Sequence, residues 1–395
     1  MRLKRSVLEM PYGAPSSAAG SPPLAFNYNG DMRVNQTHST ANQNYTAHSL
    51  NAADTQIFDN FPDFFGLQYT VNPARNFDQA VLFDDPINST RGLSLSLRCN
   101  TAVPAGANDY IYAFTSVEGR DFMSLIDQDC TLRFWIKQTN TGTFPLIFFT
   151  NPANNGPVPH SASNIFLTNY TYAAAGVWTE FAIPIDFPLA GMSYPQTYST
   201  DLLLRMAWPV FVGAGVRVAA NLSGAWVASP GLTGYATTTD TNAMQAAGDT
   251  WQLGRVGLQL GAGGDYPDVP FTDTLNRARR RYWHTFPYGS IPAAGAGTAG
   301  EPIRYTARIG GVNTDGAFVQ HPVQMRARPT VTFYSMTGAG TTWFNDTAGA
   351  PSGAAALANP ISPSGVDAML ITNPQVAGDN GADNLMLHAS FDARI

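Results

Sequence analysis

The sequence predicts an all-β protein: a β-sandwich with an extended N-terminal arm, one short helix and a C-terminal β-rich segment. Three observations predict this class. Glycine (36) and proline (28) recur throughout the 395 residues, and only 13% of the residues are charged. Apolar side chains also alternate along short segments that end in turn residues. Helical bundles, coiled coils and acidic disordered chains need charge-rich, glycine-poor sequence, so the composition disfavours all three.

Residues 1–46 form the predicted arm. They are rich in Ser, Ala, Pro and Asn and poor in large apolar groups, so they cannot build a core alone. The segment keeps four apolar side chains that could anchor it to a partner: Val7, Leu8, Met10 and Tyr12. We interpret it as an extended attachment arm, with a free tail as the alternative.

Residues 47–292 hold the predicted sandwich. In LSLSLRC at 93–99, every second side chain is Leu or Cys, which places these residues on one face of a strand. TLRFWIK at 131–137 alternates in the same way. Further strand-length segments occur at 177–185, 201–208, 216–220 and 251–260. Short strands separated by Gly, Pro, Asn and Asp are typical of a β-sandwich.

The single predicted helix lies in FTDTLNRARRRYW at 271–283. Leu275, Ala278 and Tyr282 recur there at helical spacing, and Thr272 or Asp273 can cap the start. AAGAGTAG at 293–300 is a plausible flexible link. The remaining residues, 293–395, form a β-rich segment that packs on the sandwich or completes it.

Charge and hydropathy exclude several classes of partner. Twenty-two basic residues against 28 acidic ones give a net charge of −6, so no overall positive field favours nucleic acid. No apolar run approaches about 18 residues, so membrane insertion is not expected. The two cysteines, Cys99 and Cys130, lie in strand patterns and are expected to be buried thiols.

The sequence carries no pattern of an enzyme or a metal protein. The six histidines are scattered without ligand spacing, and there is no Gly-x-Ser-x-Gly elbow, phosphate-binding glycine loop or His-Glu-x-x-His. We therefore expect no catalytic residue, no metal and no cofactor. Aspartates are numerous, however, so a glycosidase-type carboxylate pair stays open as an alternative.

Several segments, taken in order, resemble a family of tailed-phage virion proteins with a lectin-like jelly-roll sandwich. They are IFDNFPDFF at 57–65, FTSVEGRDFMSLIDQDCTLRFWIK at 114–137, GVWTEFAIPI at 176–185, GDTWQLGRVGLQLGAG at 248–263, NRARRRYWHTF at 276–286, HPVQMRARPTVTF at 321–333 and the terminal FDARI. The chain departs from the family at Gly261, where glutamate is usual, and at Arg280, where glutamine is usual.

This resemblance implies a non-catalytic component of the virion surface, a head spike, head fibre or tail fibre, assembled in the host cytoplasm. It implies capsid or tail proteins as partners, a homo-oligomer of which a trimer is the usual form, and host-surface glycan as a further ligand. Two alternatives are a polysaccharide depolymerase acting on the host envelope and a purely architectural capsid decoration protein.

Three aromatic residues are candidate glycan contacts, because they lie among Gly, Ser, Thr and Asn in loop-like sequence: Trp226, Tyr235 and Trp343. Packing beneath loops is the alternative for them. The other tryptophans are expected in the core, since they lie in strand or helix patterns: Trp135, Trp178, Trp208, Trp251 and Trp283.

The arginines of the predicted helix, Arg277, Arg279, Arg280 and Arg281, are candidates for a site that binds phosphate or an acidic polysaccharide; Arg277, Arg280 and Arg281 are also candidates for an interface. The alternative is that they pair with local aspartates or with a neighbouring subunit. The net charge of −6 favours pairing, because carboxylates outnumber the basic groups.

Overall fold

A computed structural model of the protein describes residues 46–49, 52–57, 65–71, 76–82, 84, 86, 94–100, 106–150, 164–188, 202–219, 224–228, 234–262, 269–290, 292–295, 297, 299–306, 316–338, 341–346, 349–355, 357–360, 367–372 and 384–393. The predicted arm with Val7, Leu8, Met10 and Tyr12 lies outside these residues, apart from Thr46. In the part of the chain that is described, no helix has the length and apolar character needed to cross a membrane.

The predicted all-β, jelly-roll-like sandwich is confirmed. Its elements in chain order are β1 (Thr46–Ser49), β2 (Ala52–Ile57), β3 (Phe65–Val71), β4 (Asn76–Leu82), β5 (Ser94–Cys99), β6 (Tyr110–Glu118), a single helical turn α1 (Gly119–Phe122), β7 (Asp129–Gln138), β8 (Gly142–Thr150), β9 (Asn164–Tyr172), β10 (Thr179–Asp186), β11 (Leu202–Val212), β12 (Arg217–Val218), β13 (Trp226–Ala228), β14 (Ala236–Thr237) and β15 (Thr250–Leu260).

Two antiparallel sheets face each other across the main core. One has six strands in the order β1-β4-β5-β15-β7-β10, and the other has seven in the order β13-β9-β8-β11-β6-β3-β2. Side chains from both sheets meet between them; the rings of Phe134 and Trp208, for example, lie 5.6 Å apart edge to face. The alternation predicted for β7 is confirmed, since Leu132, Phe134 and Ile136 are fully buried.

A β-bulge in β15 corrects the phase of its apolar pattern. Trp251 and Leu253 face the core before the bulge, and Val256 and Leu258 face it afterwards. The pairing of β15 with β7 shifts between Gly254 and Gly257, where Arg255 has a φ of 46°. One extra residue at a bulge reverses which residues point inward, so both halves of the strand bury their apolar side chains.

The seven-stranded sheet is buried on both faces. Its outer face carries a second set of apolar residues, which packs against Val216, Val218, Tyr235 and Ala236 from the chain after β11. We call the described residues of this covering segment, 213–219 and 234–242, the outer layer. Arg217 holds it together, because its guanidinium donates five hydrogen bonds of 2.6–3.2 Å to Val212, Thr237, Asp240 and Asn242.

The rest of the chain builds a C-terminal unit with its own core. It consists of α2 (Phe271–Arg279), β16 (Tyr282–His284), β17 (Ile303–Thr306), β18 (Gly316–Gln320), β19 (Thr330–Tyr334), β20 (Thr342–Asn345), β21 (Ala350–Ala355), β22 (Leu357–Pro360), β23 (Ala368–Thr372) and β24 (Asn384–Asp392). The helix predicted in 271–283 is confirmed as α2. Because β16 pairs with β24, this sheet takes a strand from before residue 293, the predicted start of the C-terminal segment.

Strand β24 organises the C-terminal unit. Its second half pairs with β16 and β19, and its first half pairs with β17 and β20. A three-stranded sheet in the order β18-β23-β22 contributes to the same core. Buried residues such as Trp343, Ile371 and Leu387 form that core, so a strand near the C-terminus connects most of the unit.

A buried glutamate joins the C-terminal unit to the sandwich. Glu118, at the end of β6, is 1% exposed, and its carboxylate lies 3.3–3.6 Å from the guanidinium nitrogens of Arg120, Arg280 and Arg281. Arg281 also donates a 3.4 Å hydrogen bond to the carbonyl of Ser116. Two of the three arginines come from the end of α2, so the cluster connects the two parts of the chain. We call it the Glu118 cluster.

Replacing this carboxylate should weaken the protein strongly. We expect Glu118→Gln to lower the free energy of unfolding by about 3 kcal/mol, because the buried arginines lose their counter-charge. Glu180→Gln is the matched control: its pair with Arg133 is exposed, and such pairs contribute below about 1 kcal/mol. Denaturant unfolding monitored by tryptophan fluorescence measures both, and equal losses in the two variants would contradict the assignment.

Candidate functional site

The C-terminal unit contains an open cleft of about 750 Å³. Four segments line it: the end of α2, β16 with the turn that follows it, residues 300–304, and residues 318–322. The lining residues are Arg279, Trp283, His284, Thr285, Phe286, Pro287, Tyr288, Gly300, Glu301, Ile303, Arg304, Phe318, Val319, Gln320 and Pro322. We call it the aromatic cleft.

Close backbone packing shapes one side of the cleft. Gly300 has a φ of 92°, and a Cβ there would lie 2.5 Å from the carbonyl oxygen of Thr285. Only glycine fits this position, since a side chain would meet both the backbone and an unfavourable φ. The next residue, Glu301, donates its backbone N–H to the same carbonyl at 2.7 Å. The side chain of Glu301 is thereby presented at the cleft.

Two exposed aromatic rings line the aromatic cleft. Phe318 is 61% exposed and Tyr288 is 40% exposed, whereas most aromatic side chains of the described residues are buried. A third exposed ring, Phe271, packs edge to face on Tyr288 at 5.6 Å. Only four large apolar side chains are exposed in the described part of the chain, and these are three of them. Exposed apolar groups gathered in one place are typical of a binding surface.

The floor of the cleft is rigid. Trp283 stacks on Phe391 with 4.5 Å between centroids, and its indole N–H donates to Nδ1 of His321 at 3.2 Å. Phe286 stacks on the fully buried His388 at 4.2 Å. The floor is therefore anchored in the core around β24.

Three charged side chains of the cleft have no protein partner. Within the described residues, Arg279, Glu301 and Arg304 form no ion pair and no side-chain hydrogen bond. Other arginines are held by the protein: Arg133 pairs with Glu180, and Arg280 pairs with Glu118. The aromatic cleft thus combines exposed rings with charged groups that are available to a ligand.

The predicted glycan contacts lie elsewhere. Trp226 begins β13 at the edge of the seven-stranded sheet and is half-buried; its indole N–H donates to the carbonyl of Asp186 at 2.7 Å. Tyr235 is fully buried in the outer layer, stacked on Tyr110 at 4.2 Å. Trp343 is fully buried in the core of the C-terminal unit. Tyr235 and Trp343 offer no ring face to a sugar, because the loop-like sequence around them folds into covered layers.

The predicted arginine candidates meet carboxylates of the sandwich. Arg280 and Arg281 belong to the Glu118 cluster, and burial lowers the pKa of Arg281 to about 10 although Glu118 favours its charge. Burial raises the pKa of Asp121, and the positive charges of the exposed Arg277 and of Arg281 partly oppose this rise. The carboxylates that face this helix come from a segment more than 150 residues away. Sequence spacing could not identify them.

The tryptophans predicted in the core divide into two groups. Trp208 and Trp251 are fully buried, whereas Trp135, Trp178 and Trp283 are half-buried. Trp178 lies on the outer face of the six-stranded sheet, where its indole N–H donates to Asp84 at 3.2 Å. Lys137 pairs with the same carboxylate at 2.8 Å. Trp178 and Lys137 are therefore held on this face by their shared contact with Asp84.

Neither cysteine has the properties of a nucleophile. Cys99 and Cys130 are buried free thiols. Burial, with the nearby carboxylates of Asp129 and Asp186, raises the pKa of the Cys130 thiol to about 12. The thiolate is the reactive form, so this raised pKa disfavours Cys130 as a nucleophile at neutral pH.

Sequence reasoning placed Arg279 in a candidate anion-binding cluster but did not identify the other residues of the aromatic cleft as a site. Phe318 lies in GAFVQ, where Ala317 and Val319 are buried and Phe318 and Gln320 are exposed. An aromatic side chain on the solvent-facing side of a strand indicates a binding surface. Which side of a strand faces solvent is known only once the core is known, because side chains alternate between the two faces. Arg279 is the last residue of α2 and lines the cleft, whereas the next two residues, Arg280 and Arg281, are paired with Glu118. The sequence alone does not distinguish these three adjacent arginines.

Comparisons with known proteins find likeness only in structure. No protein-family model and no curated protein sequence matches the chain. The β-sandwich is similar to that of the family 11 carbohydrate-binding module from Clostridium thermocellum in complex with a β-1,3-1,4-mixed-linked tetrasaccharide, at 10% identity and a TM-score of 0.28, covering 54% of this chain and 99% of that one.

Two further structures give similar values. A CBM4 structure matches at 11% identity and a TM-score of 0.26, covering 52% of this chain and 100% of that one. The N-terminal CBM22-1–CBM22-2 tandem domain from Paenibacillus barcinonensis matches at 9% identity and a TM-score of 0.24, covering 87% and 100%. Likeness at these TM-scores carries no information about function.

His388 beneath the cleft should make stability depend on pH. Its Nδ1 lies 2.8 Å from the hydroxyl of Thr285 and its Nε2 lies 3.2 Å from the carbonyl of Gly297. Because this carbonyl can only accept, Nε2 carries the proton of the neutral ring. Burial lowers the pKa of His388 below its ordinary value of 6.5.

A lowered histidine pKa means that the unfolded chain takes up this proton first as the pH falls. We therefore expect the free energy of unfolding to decrease below about pH 6.5. His388→Gln should be less stable at pH 7.5 but should lose less additional stability between pH 7 and pH 5. Denaturant melts across this range measure the difference, and an unchanged pH dependence in the variant would disprove the role of His388.

Proposed function

We propose that the protein is a non-catalytic, glycan-binding component of a virion surface and that it binds sugars in the aromatic cleft. One observation carries the binding function: the exposed rings of Phe318 and Tyr288 line the same cleft as three unpaired charged side chains. The carbohydrate-binding function predicted from the resemblance is retained, but its site moves from Trp226, Tyr235 and Trp343 to this cleft.

The chemistry of the cleft suits a sugar. The C–H faces of a pyranose ring pack on aromatic faces, and its hydroxyls need hydrogen-bond partners around the rim. Phe318 and Tyr288 supply the apolar faces, while guanidinium and carboxylate groups supply donors and acceptors. A volume of about 750 Å³ is that of a small-ligand site and holds an oligosaccharide of a few units.

The composition of the cleft favours binding over hydrolysis. Glycoside hydrolysis ordinarily uses two carboxyl groups about 5–10 Å apart. Among the described residues that line the cleft, Glu301 is the single carboxylate. A polysaccharide depolymerase therefore has less support from this site than a binding protein.

The virion location in this proposal rests on the resemblance of the ordered motifs to those of tailed-phage virion proteins. In this proposal the sandwich and the C-terminal unit project from a head or a tail, and residues 1–46 attach them to capsid or tail proteins. A homo-oligomer, with a trimer as the arrangement that the resemblance implies, places several clefts on one projection. Repeated sites strengthen the binding of a polymeric glycan through effective concentration.

Removing the exposed rings tests the binding function. We expect Tyr288→Ala and Phe318→Ala each to weaken binding to an array of bacterial envelope glycans by about tenfold or more, since a lost stacking ring leaves sugar C–H groups uncovered. Both side chains are exposed, so folding should be unaffected. Trp226→Ala is the control from the other candidate position, and its binding should stay close to that of the wild type.

The same array separates the proposals. Loss of binding in Trp226→Ala alone would place the site at the edge of the seven-stranded sheet. No binding by the wild type to any glycan would instead support an architectural decoration protein. Shortening of a bound polysaccharide during incubation would identify a depolymerase.

Deletion of residues 1–45, which leaves Thr46 and strand β1 intact, tests the attachment arm. We expect the shortened protein to fold, with unchanged thermal unfolding, but to be absent from assembled particles, because the arm provides the contacts to the virion. Purified particles analysed by immunoblotting and electron microscopy give the result. Normal incorporation of the shortened protein would refute the attachment role.

A further inference from the structure

We infer that the ligand of the aromatic cleft is an acidic glycan whose carboxylate is bound by Arg279 and Arg304. This inference rests on the proposed glycan-binding function and specifies its substrate class. It starts from the two guanidinium groups in the cleft that have no partner among the residues that the structure describes.

Most described arginines contact other parts of the protein, whereas these two line one cleft and have no partner among the described residues. Acidic residues outnumber basic ones, with 28 Asp and Glu against 22 Lys and Arg, so counter-charges are plentiful. Most other described arginines have protein contacts: Arg217 donates five hydrogen bonds, Arg205 lies 4.2 Å from the centre of the Phe114 ring, and the Nε of Arg326 donates to the carbonyl of Ala393 at 3.0 Å. Two unpaired guanidiniums in one cleft are therefore available to an external anion.

The backbone holds both arginines in place. Arg279 ends α2, and the next two residues, Arg280 and Arg281, are bound to Glu118. Arg304 lies in β17, where it pairs with Met386 of the central strand and where its neighbour Ile303 is buried. Groups on a fixed backbone lose less conformational freedom when a ligand binds, which favours affinity and specificity.

The charges of the cleft favour an anion over a cation. Two guanidinium groups face one carboxylate, Glu301, among the described lining residues. A guanidinium matches the geometry of a carboxylate with two parallel hydrogen bonds, and such charge-assisted bonds are stronger than those to hydroxyl groups. Glu301 then accepts hydrogen bonds from sugar hydroxyls, while Tyr288 and Phe318 cover the apolar face of the ring. A uronic acid or another carboxylated sugar satisfies all of these groups.

Paired ligands test the inference. The probe is a panel of uronic-acid-containing envelope oligosaccharides, each measured beside its carboxyl-reduced form and beside a sulfated oligosaccharide of similar length. Isothermal titration of the wild-type protein should show that carboxyl reduction weakens binding by about tenfold or more. Binding of the acidic form should also weaken as the salt concentration rises from about 0.05 M to about 0.5 M, because the pairs are exposed to solvent.

Arginine variants locate the effect. In Arg279→Gln and Arg304→Gln, the preference for the acidic over the reduced form should fall, and in the double variant it should approach one. Arg328→Gln removes the same charge at an exposed position outside the cleft and should keep the full preference. Thermal unfolding checks that the variants fold.

Each remaining outcome has a defined meaning. Equal binding of both members of every pair, with loss in Phe318→Ala, would overturn the acidic specificity but keep the proposed function. Binding of the sulfated oligosaccharide without binding of the carboxylated ones would overturn the carboxylate as the recognised group. Absence of binding to every probe, in a protein that unfolds normally, would overturn the glycan-binding function itself.

Discussion

The position of the C-terminal unit depends on one buried carboxylate. Glu118 is almost inaccessible to water, and removing a charge from water is unfavourable unless opposite charges compensate it. Arg120 comes from its own segment, while Arg280 and Arg281 come from the end of α2. The charge of Glu118 therefore selects one docking of this helix on the sandwich. That docking sets where Arg279, directly before this arginine pair, and Trp283, two residues after it, line the cleft.

Most of the described aromatic side chains of the main sandwich are packed in its interior. The seven-stranded sheet is covered on its inner face by the six-stranded sheet and on its outer face by the outer layer, which Arg217 stabilises. Tyr110 and Tyr112 of β6 stack on each other and on Tyr235 of this layer. A sheet buried on both sides has no open aromatic platform. The exposed rings of the described structure instead gather at the C-terminal unit.

The spacing of apolar residues along the chain predicted those strands and helices that depend on a single period, about 2 residues for a strand or about 3.6 for a helix. The alternation in β7 depends on the period of a strand, and the same period placed its Leu, Phe and Ile residues in the core. The α2 helix followed from its apolar spacing. The bulge at Arg255 could not be predicted, because the sequence shows only that the phase of β15 changes and not at which residue the register shifts. The buried positions of Tyr235 and Trp343 depend on layers contributed by distant segments.

The sequence by itself determined the all-β class, the helix and the inward faces of the main strands, since these depend on composition and on spacing along the chain. Only the tertiary structure decided which aromatic and charged side chains stay available. Arg279, Arg280 and Arg281 are adjacent and chemically identical, yet two of them neutralise Glu118 and one lines the aromatic cleft. The difference arises because charge compensation and burial are set by residues that are distant in sequence and close in space.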